Sequence, residues 1–184
     1  MAATPQDIIG FWTQAGPTRW FSAKPAFDET IRLRFEPTHH AAARGAYDGW
    51  AEDAPGGLAL LILLDQFPRN LYRGSAHAFA TDLKARAIAR AAIAEGFDRA
   101  TEPLLRPFFY LPFEHSEDLA DQDACIALCQ RLADETGDAD TLKWAQMHRD
   151  IIARFGRFPH RNPMLGRTTT AEEQAFLDEG GFAG

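Results

Sequence analysis

The sequence predicts an all-α protein of roughly eight to ten helices in one domain over residues 1–184. Three observations lead there. No segment alternates apolar and polar residues for more than a few positions, as a half-buried strand would. Caps, prolines and glycines fall at helix spacing. The run Leu58–Leu64 is apolar on every side, leucine-dominated, with only Ile62 β-branched, which suits a fully buried central helix.

The elements follow in order. Thr4-Pro5 is an N-cap followed by a first-turn proline, opening a helix through Trp12. Pro25 opens a second, with Ile31 and Phe35 on one stripe, and Pro37 is expected to end it. A further helix is predicted over 38–47, then the link DGWAEDAPGG leads into the apolar run. Pro68, in DQFPRN, stops that run. Residues 75–95 read as one alanine-rich helix with Phe79, Leu83, Ile88 and Ile93 inward, and Gly96 is a natural residue just past its end. TEPLLRPFFYLPFEHSED is a proline-broken, aromatic helix. Ser116 is expected to cap a helix with the stripe Leu119, Ile126, Leu128 and Leu132, closed by Gly137. Asp138 caps the next, which runs to Phe155 and stops at Gly156. Thr170 and Glu173 form a capping box for a short last helix, and the tail EGGFAG is expected to fray.

At 184 residues and net charge −7 the chain can bury a sizeable core and lacks the basic balance of a nucleic-acid or membrane-surface binder. No apolar run reaches the length of a membrane span, and MAATPQDIIGFW has no basic start or apolar core of a signal peptide, so a cytoplasmic location is the expectation. Cys125 and Cys129 share a helix face at a spacing that seldom closes a disulfide, and they are expected to be buried, reduced and structural. No phosphate-binding loop, dinucleotide fingerprint, nucleophile elbow or HExxH motif occurs. No cofactor is implied, and no metal site is expected.

The residues that stand out are HRDIIARFGRFPHRNPMLGR, 148–167, with five arginines and one aspartate in a chain of net −7. On a helical wheel over 139–155, His148 falls amid Trp144, Ala145, Ile151, Ile152 and Phe155, a buried stripe. Arg149, Asp150 and Arg154 take the opposite arc. Asp65 and Gln66 end the all-apolar helix, so both are expected to be at least partly buried. A carboxylate there opposes the helix dipole and needs a partner, for which the Arg/His stretch is the expected supplier. DQFPRN adds Arg69 and Asn70 on a rigid turn, and PFEHSED adds Glu114 and His115. Such segments at helix ends either converge on a ligand or form an internal network of ion pairs. An excess of arginine over nearby acid favours an anionic guest, because guanidinium matches carboxylate and phosphate geometry.

LLLDQFPRNLYRG, FFYLPFEHSEDL and HRDIIARFGRFPHRNPMLGRTTTAEEQAFL resemble three signature blocks of an uncharacterised bacterial family, a domain of unknown function. The resemblance covers about residues 5–180. It implies a tetratricopeptide-like α-α superhelix and brings no established activity or catalytic residue. It marks Asp65, Gln66, Arg69, Asn70, Glu114, His115, His148, Arg149, Arg154, Arg157, His160, Arg161, Asn162 and Arg167. The tetratricopeptide consensus itself is missing, and no self-similarity at about 34 residues is found.

Three functions compete. The first is a pocket for a small anionic molecule, lined by these Arg, His and Asn residues, with His148, His160 or His115 available as general acid or base if it is an enzyme. The second is a helical scaffold whose groove takes an acidic peptide. The third is a metal site built from Glu114, His115, His148 or His160 with further acids. A purely structural network is the remaining reading.

Overall fold

A computed structural model of the chain describes residues 3–183. Among them there is no strand, and no helix is long and apolar enough to cross a membrane. They fall into two compact units, one of residues 1–73 and 77–112, the other of 74–76 and 113–184.

The first unit opens with α1 (Pro5–Ala15), α2 (Pro17–Trp20) and α3 (Pro25–Ala43). The Thr4 hydroxyl and the Asp7 carboxylate close a capping box at the start of α1. Pro37 does not end its helix: α3 continues through it to Ala43, in place of the break and second helix predicted from sequence. The missing N–H costs one backbone bond. Burial of Thr38, His39 and Ala42 beyond the proline, where α3 packs on the elements described next, outweighs it.

The apolar run is a helix, α4 (Ala54–Leu61), and every residue from Leu58 to Leu64 is buried. It does not stop at Asp65. It widens into a π turn, Ile62–Gln66, in which Phe67 N–H reaches the Ile62 carbonyl, and continues as α5 (Phe67–Leu71). Pro68 is the physical reason. Lacking an N–H, it cannot donate to the Leu64 or Leu63 carbonyl, its acceptors four and five residues back. Side chains take over. His39 Nδ1–H donates to the Leu63 carbonyl at 2.8 Å, and the Thr81 hydroxyl donates to that of Leu64.

The predicted 75–95 helix is shorter than expected. A 3-10 turn, Ala76–Phe79, precedes α6 (Asp82–Ala94). Its buried face is Ala85, Ala89 and Ala92, whereas Leu83, expected inward, is 75% exposed. Small residues let α6 approach α4 closely. Gly96 has φ +77°, as a helix terminus requires. Trp12 and Phe108 pack with Trp20, Phe27 and Phe67 into an aromatic core.

The second unit holds the end of α7 (Leu111–Glu114), then α8 (Leu119–Thr136), α9 (Asp140–Phe155) and α10 (Ala171–Asp178). Asp118, not Ser116, caps α8; the Ser116 hydroxyl accepts from Asp118 N–H and donates to Asp121. The buried stripe of α8 is Asp121, Gln122, Cys125, Cys129 and Leu132, while Leu119 faces outward. The two cysteines are free and buried. Gly137 and Gly156 end α8 and α9 in the left-handed conformation, Asp138 accepts from Asp140 N–H, and Thr170 with Glu173 forms the predicted capping box. Trp144, expected in the buried stripe of α9, is 56% exposed. The tail does not simply fray: Phe182 packs edge-on against His148 and His160, ring centroids 4.6 and 5.2 Å away.

Candidate functional site

Residues predicted from sequence lie in both units. In the first unit, Asp65 is 1% exposed. Arg69, one turn on, is a cationic partner at 3.3 Å, and Gln66 Nε2 also donates to it. Arg69 in turn grips Asp82 with both Nη atoms, at 3.1 and 3.2 Å. Asn70 donates to Asp28, which Arg73 also holds. The DQFPRN turn thus supplies its own cation, and its polar side chains are tied to acids of α3 and α6.

In the second unit the predicted residues form a network around the 156–170 loop. Arg157 reaches both oxygens of Glu173, at 2.6 and 2.9 Å, and Asn162 and Thr170 N–H donate to the same carboxylate. These donors, the Arg157 bond foremost, hold Glu173 down to about 2. Arg167 forks onto Glu117 at 2.6 and 3.0 Å and donates to Asn162 Oδ1. Burial pushes Glu117 up, but hydrogen bonds from Arg167 and from Phe158 N–H outweigh it and leave the carboxyl below its ordinary value. Arg154 pairs with Glu172 and Arg149 with Asp123. Arg161 donates to the His115 carbonyl and lies over the Phe158 ring, 4.4 Å from its centroid.

His148 is buried, as predicted. Its Nδ1–H faces the Trp144 carbonyl at 2.9 Å and Glu114 Oε1 at 3.3 Å. The fully buried Gln122 holds the turn that follows Glu114, donating to the Glu114 and Ser116 carbonyls at 2.6 Å. Burial, then Arg161 and His148 nearby, drives His160 down to about 3, so it is neutral at physiological pH. Among the described residues no group of three or more His, Cys, Asp or Glu side chains is arranged to hold a metal ion.

A cleft that the sequence reading missed lies in the first unit. It has a volume of about 330 Å³ and is lined by Glu36, His39, His40, Tyr72, His77 and Thr81, with Ala43 and Ala80 as its apolar members. Two of these are the side chains that satisfy the π turn, so the irregular backbone is wired directly to the cleft wall. Such turns recur at functional sites. Tyr72 stands amid the imidazoles, with ring centroids 5.8 Å from His39 and His77 and 6.2 Å from His40. Its hydroxyl donates to Glu36 at 3.3 Å and lies 3.1 Å from His40 Nε2. Burial lowers His39 below the usual imidazole range, and burial together with Glu36 raises Tyr72. The one available sequence signal was Pro68 behind an all-apolar helix, which leaves two carbonyls in want of side-chain donors.

A solved structure described as a protein of unknown function, ATU0120 from Agrobacterium tumefaciens, is similar over 96% of this chain and 97% of that one, at 51% identity and a TM-score of 0.91. No curated relative matches. The model of a family described as bacterial protein of unknown function (DUF924) matches residues 8–181. The chain belongs to that family.

Proposed function

We propose that the chain binds a small molecule in the imidazole-lined cleft of its first unit. The observation behind this is the coupling of the π turn to the cleft: His39 and Thr81 both line it and both donate to carbonyls to which Pro68 cannot donate. A concave space with a few convergent polar groups on a rigid frame is how small-molecule sites are built. The chain Glu36–Tyr72–His40 additionally favours acid–base chemistry there, since it links a carboxylate, a phenol and an imidazole through successive hydrogen bonds.

An anionic guest or an acidic peptide at residues 148–167 has less support. Arg149, Arg154, Arg157 and Arg167 each face a carboxylate, and Arg161 is taken up by a backbone carbonyl and an aromatic face. That pairing favours the arginines as anchors of the 156–170 loop. A second depression of the first unit, beside Asn70, presents Arg32 and Arg73, but these hold Glu29 and Asp28.

The test is a thermal-shift screen of anionic, neutral and cationic small molecules on the intact chain and on His39→Gln, Tyr72→Phe and Arg157→Gln. The proposal expects stabilising compounds whose effect is lost in the first two variants and kept in the third. Dependence on Arg157 with indifference to His39 and Tyr72 would return the site to the arginine block.

A further inference from the structure

We infer that the cleft takes a cationic amine, which rests on the cleft being the ligand site and reverses the charge expected from sequence. The proton inventory of its walls supports the inference. His39 Nδ1 faces a carbonyl at 2.8 Å and so carries the hydrogen, which leaves Nε2 with a lone pair. The Thr81 hydroxyl spends its only proton on the Leu64 carbonyl and keeps acceptor capacity. With the Tyr72 proton directed at Glu36, which can only accept, the matching tautomer has His40 Nε2–H donating to the phenolic oxygen and Nδ1 as an acceptor.

The polar atoms left over on these four side chains are therefore acceptors. The charge balance agrees. The wall contains one carboxylate, Glu36, and neither lysine nor arginine; Arg32, outside the lining, lies 3.9 Å from Glu36. An anion would meet lone pairs and a carboxylate, with no lysine or arginine in the lining to receive it. An ammonium would find a countercharge, acceptors for its N–H groups and the rings of Tyr72 and the imidazoles as neighbours. The net charge of −7 steers cations toward the molecule as well.

Isothermal titration of the full chain with benzylamine, benzyl alcohol and phenylacetate separates the classes at nearly constant shape. Benzylamine should bind at least about tenfold more tightly than either analogue, and Glu36→Gln, which keeps the acceptor for Tyr72 but removes the charge, should erase that preference. Ala43→Leu, which adds bulk to the lining at a helical position, should abolish binding of all three. Preference for the alcohol or the carboxylate, still lost in Ala43→Leu, would overturn the cationic class while leaving the cleft as the site. Amine binding indifferent to Glu36→Gln would also overturn it. Failure of all three probes would overturn the inference, and the cleft reading itself would then stand or fall on the wider thermal-shift screen.

Discussion

Thr81→Val removes one hydroxyl at nearly constant volume and tests the physical account of the π turn. Thr81 is buried, and its hydroxyl is the donor to the Leu64 carbonyl, itself within the fully buried run. Removing that donor from a buried carbonyl should cost about 1–3 kcal/mol. The turn cannot escape by reverting to α geometry, because the N–H that would then serve Leu64 belongs to position 68, a proline. Pro68→Ala supplies it. In the Thr81→Val background Pro68→Ala should recover about 1 kcal/mol, whereas in the wild type it should be neutral or destabilising, since Thr81 already satisfies the carbonyl. Urea denaturation of the four proteins followed by far-ultraviolet circular dichroism gives the cycle. Thr81→Val within about 0.5 kcal/mol of wild type, or an equal effect of Pro68→Ala in both backgrounds, would refute the reasoning.

Asp65→Asn should cost about 1–3 kcal/mol, less than the 3–5 of a stranded buried cation, because Arg69 keeps Asp82; chemical denaturation reads it. Glu173→Gln loses the acceptor shared by Arg157, Asn162 and Thr170, and amides of the 156–170 loop should exchange on the order of tenfold faster by hydrogen-exchange mass spectrometry. Stability should be full above about pH 6.5 and fall with acid, because His160, lowered to about 3, and His39, also lowered, take up protons on unfolding but resist them when folded. His160→Gln should flatten the slope between pH 6.5 and 4.5 in an acid titration of the melting temperature. Below 4.5 the loss should persist, since Glu173 and Glu117 are lowered carboxylates whose contribution disappears as pH falls.

The helices were legible wherever local chemistry alone sets them. The Thr4 and Thr170 caps and the Gly137 and Gly156 ends stand where the sequence places them. Errors arose where tertiary packing overrides a local rule: Pro37 sits inside α3, and α6 turns its alanines inward and Leu83 outward. Of the candidate site, the burial of His148 and Asp65 followed from helical phase and from an apolar helix end. The acids that meet Arg157 and Arg167 did not follow, because which acid meets which arginine is decided by chain path: Glu173 lies sixteen residues from Arg157, and Glu117 fifty from Arg167. The cleft was illegible for the same reason. Glu36, His39 and Tyr72 are ordinary in sequence and become a constellation only when α3 packs on the π turn and α5.

The most direct test of the cleft as the ligand site is histidine-detected NMR of the intact chain during titration with the compound that stabilises it most. Ring signals of His39, His40 and His77 should move together in a saturable manner, and those of His148 and His160 should stay in place. Saturable shifts confined to His148 and His160, with the three cleft histidines unmoved, would contradict it.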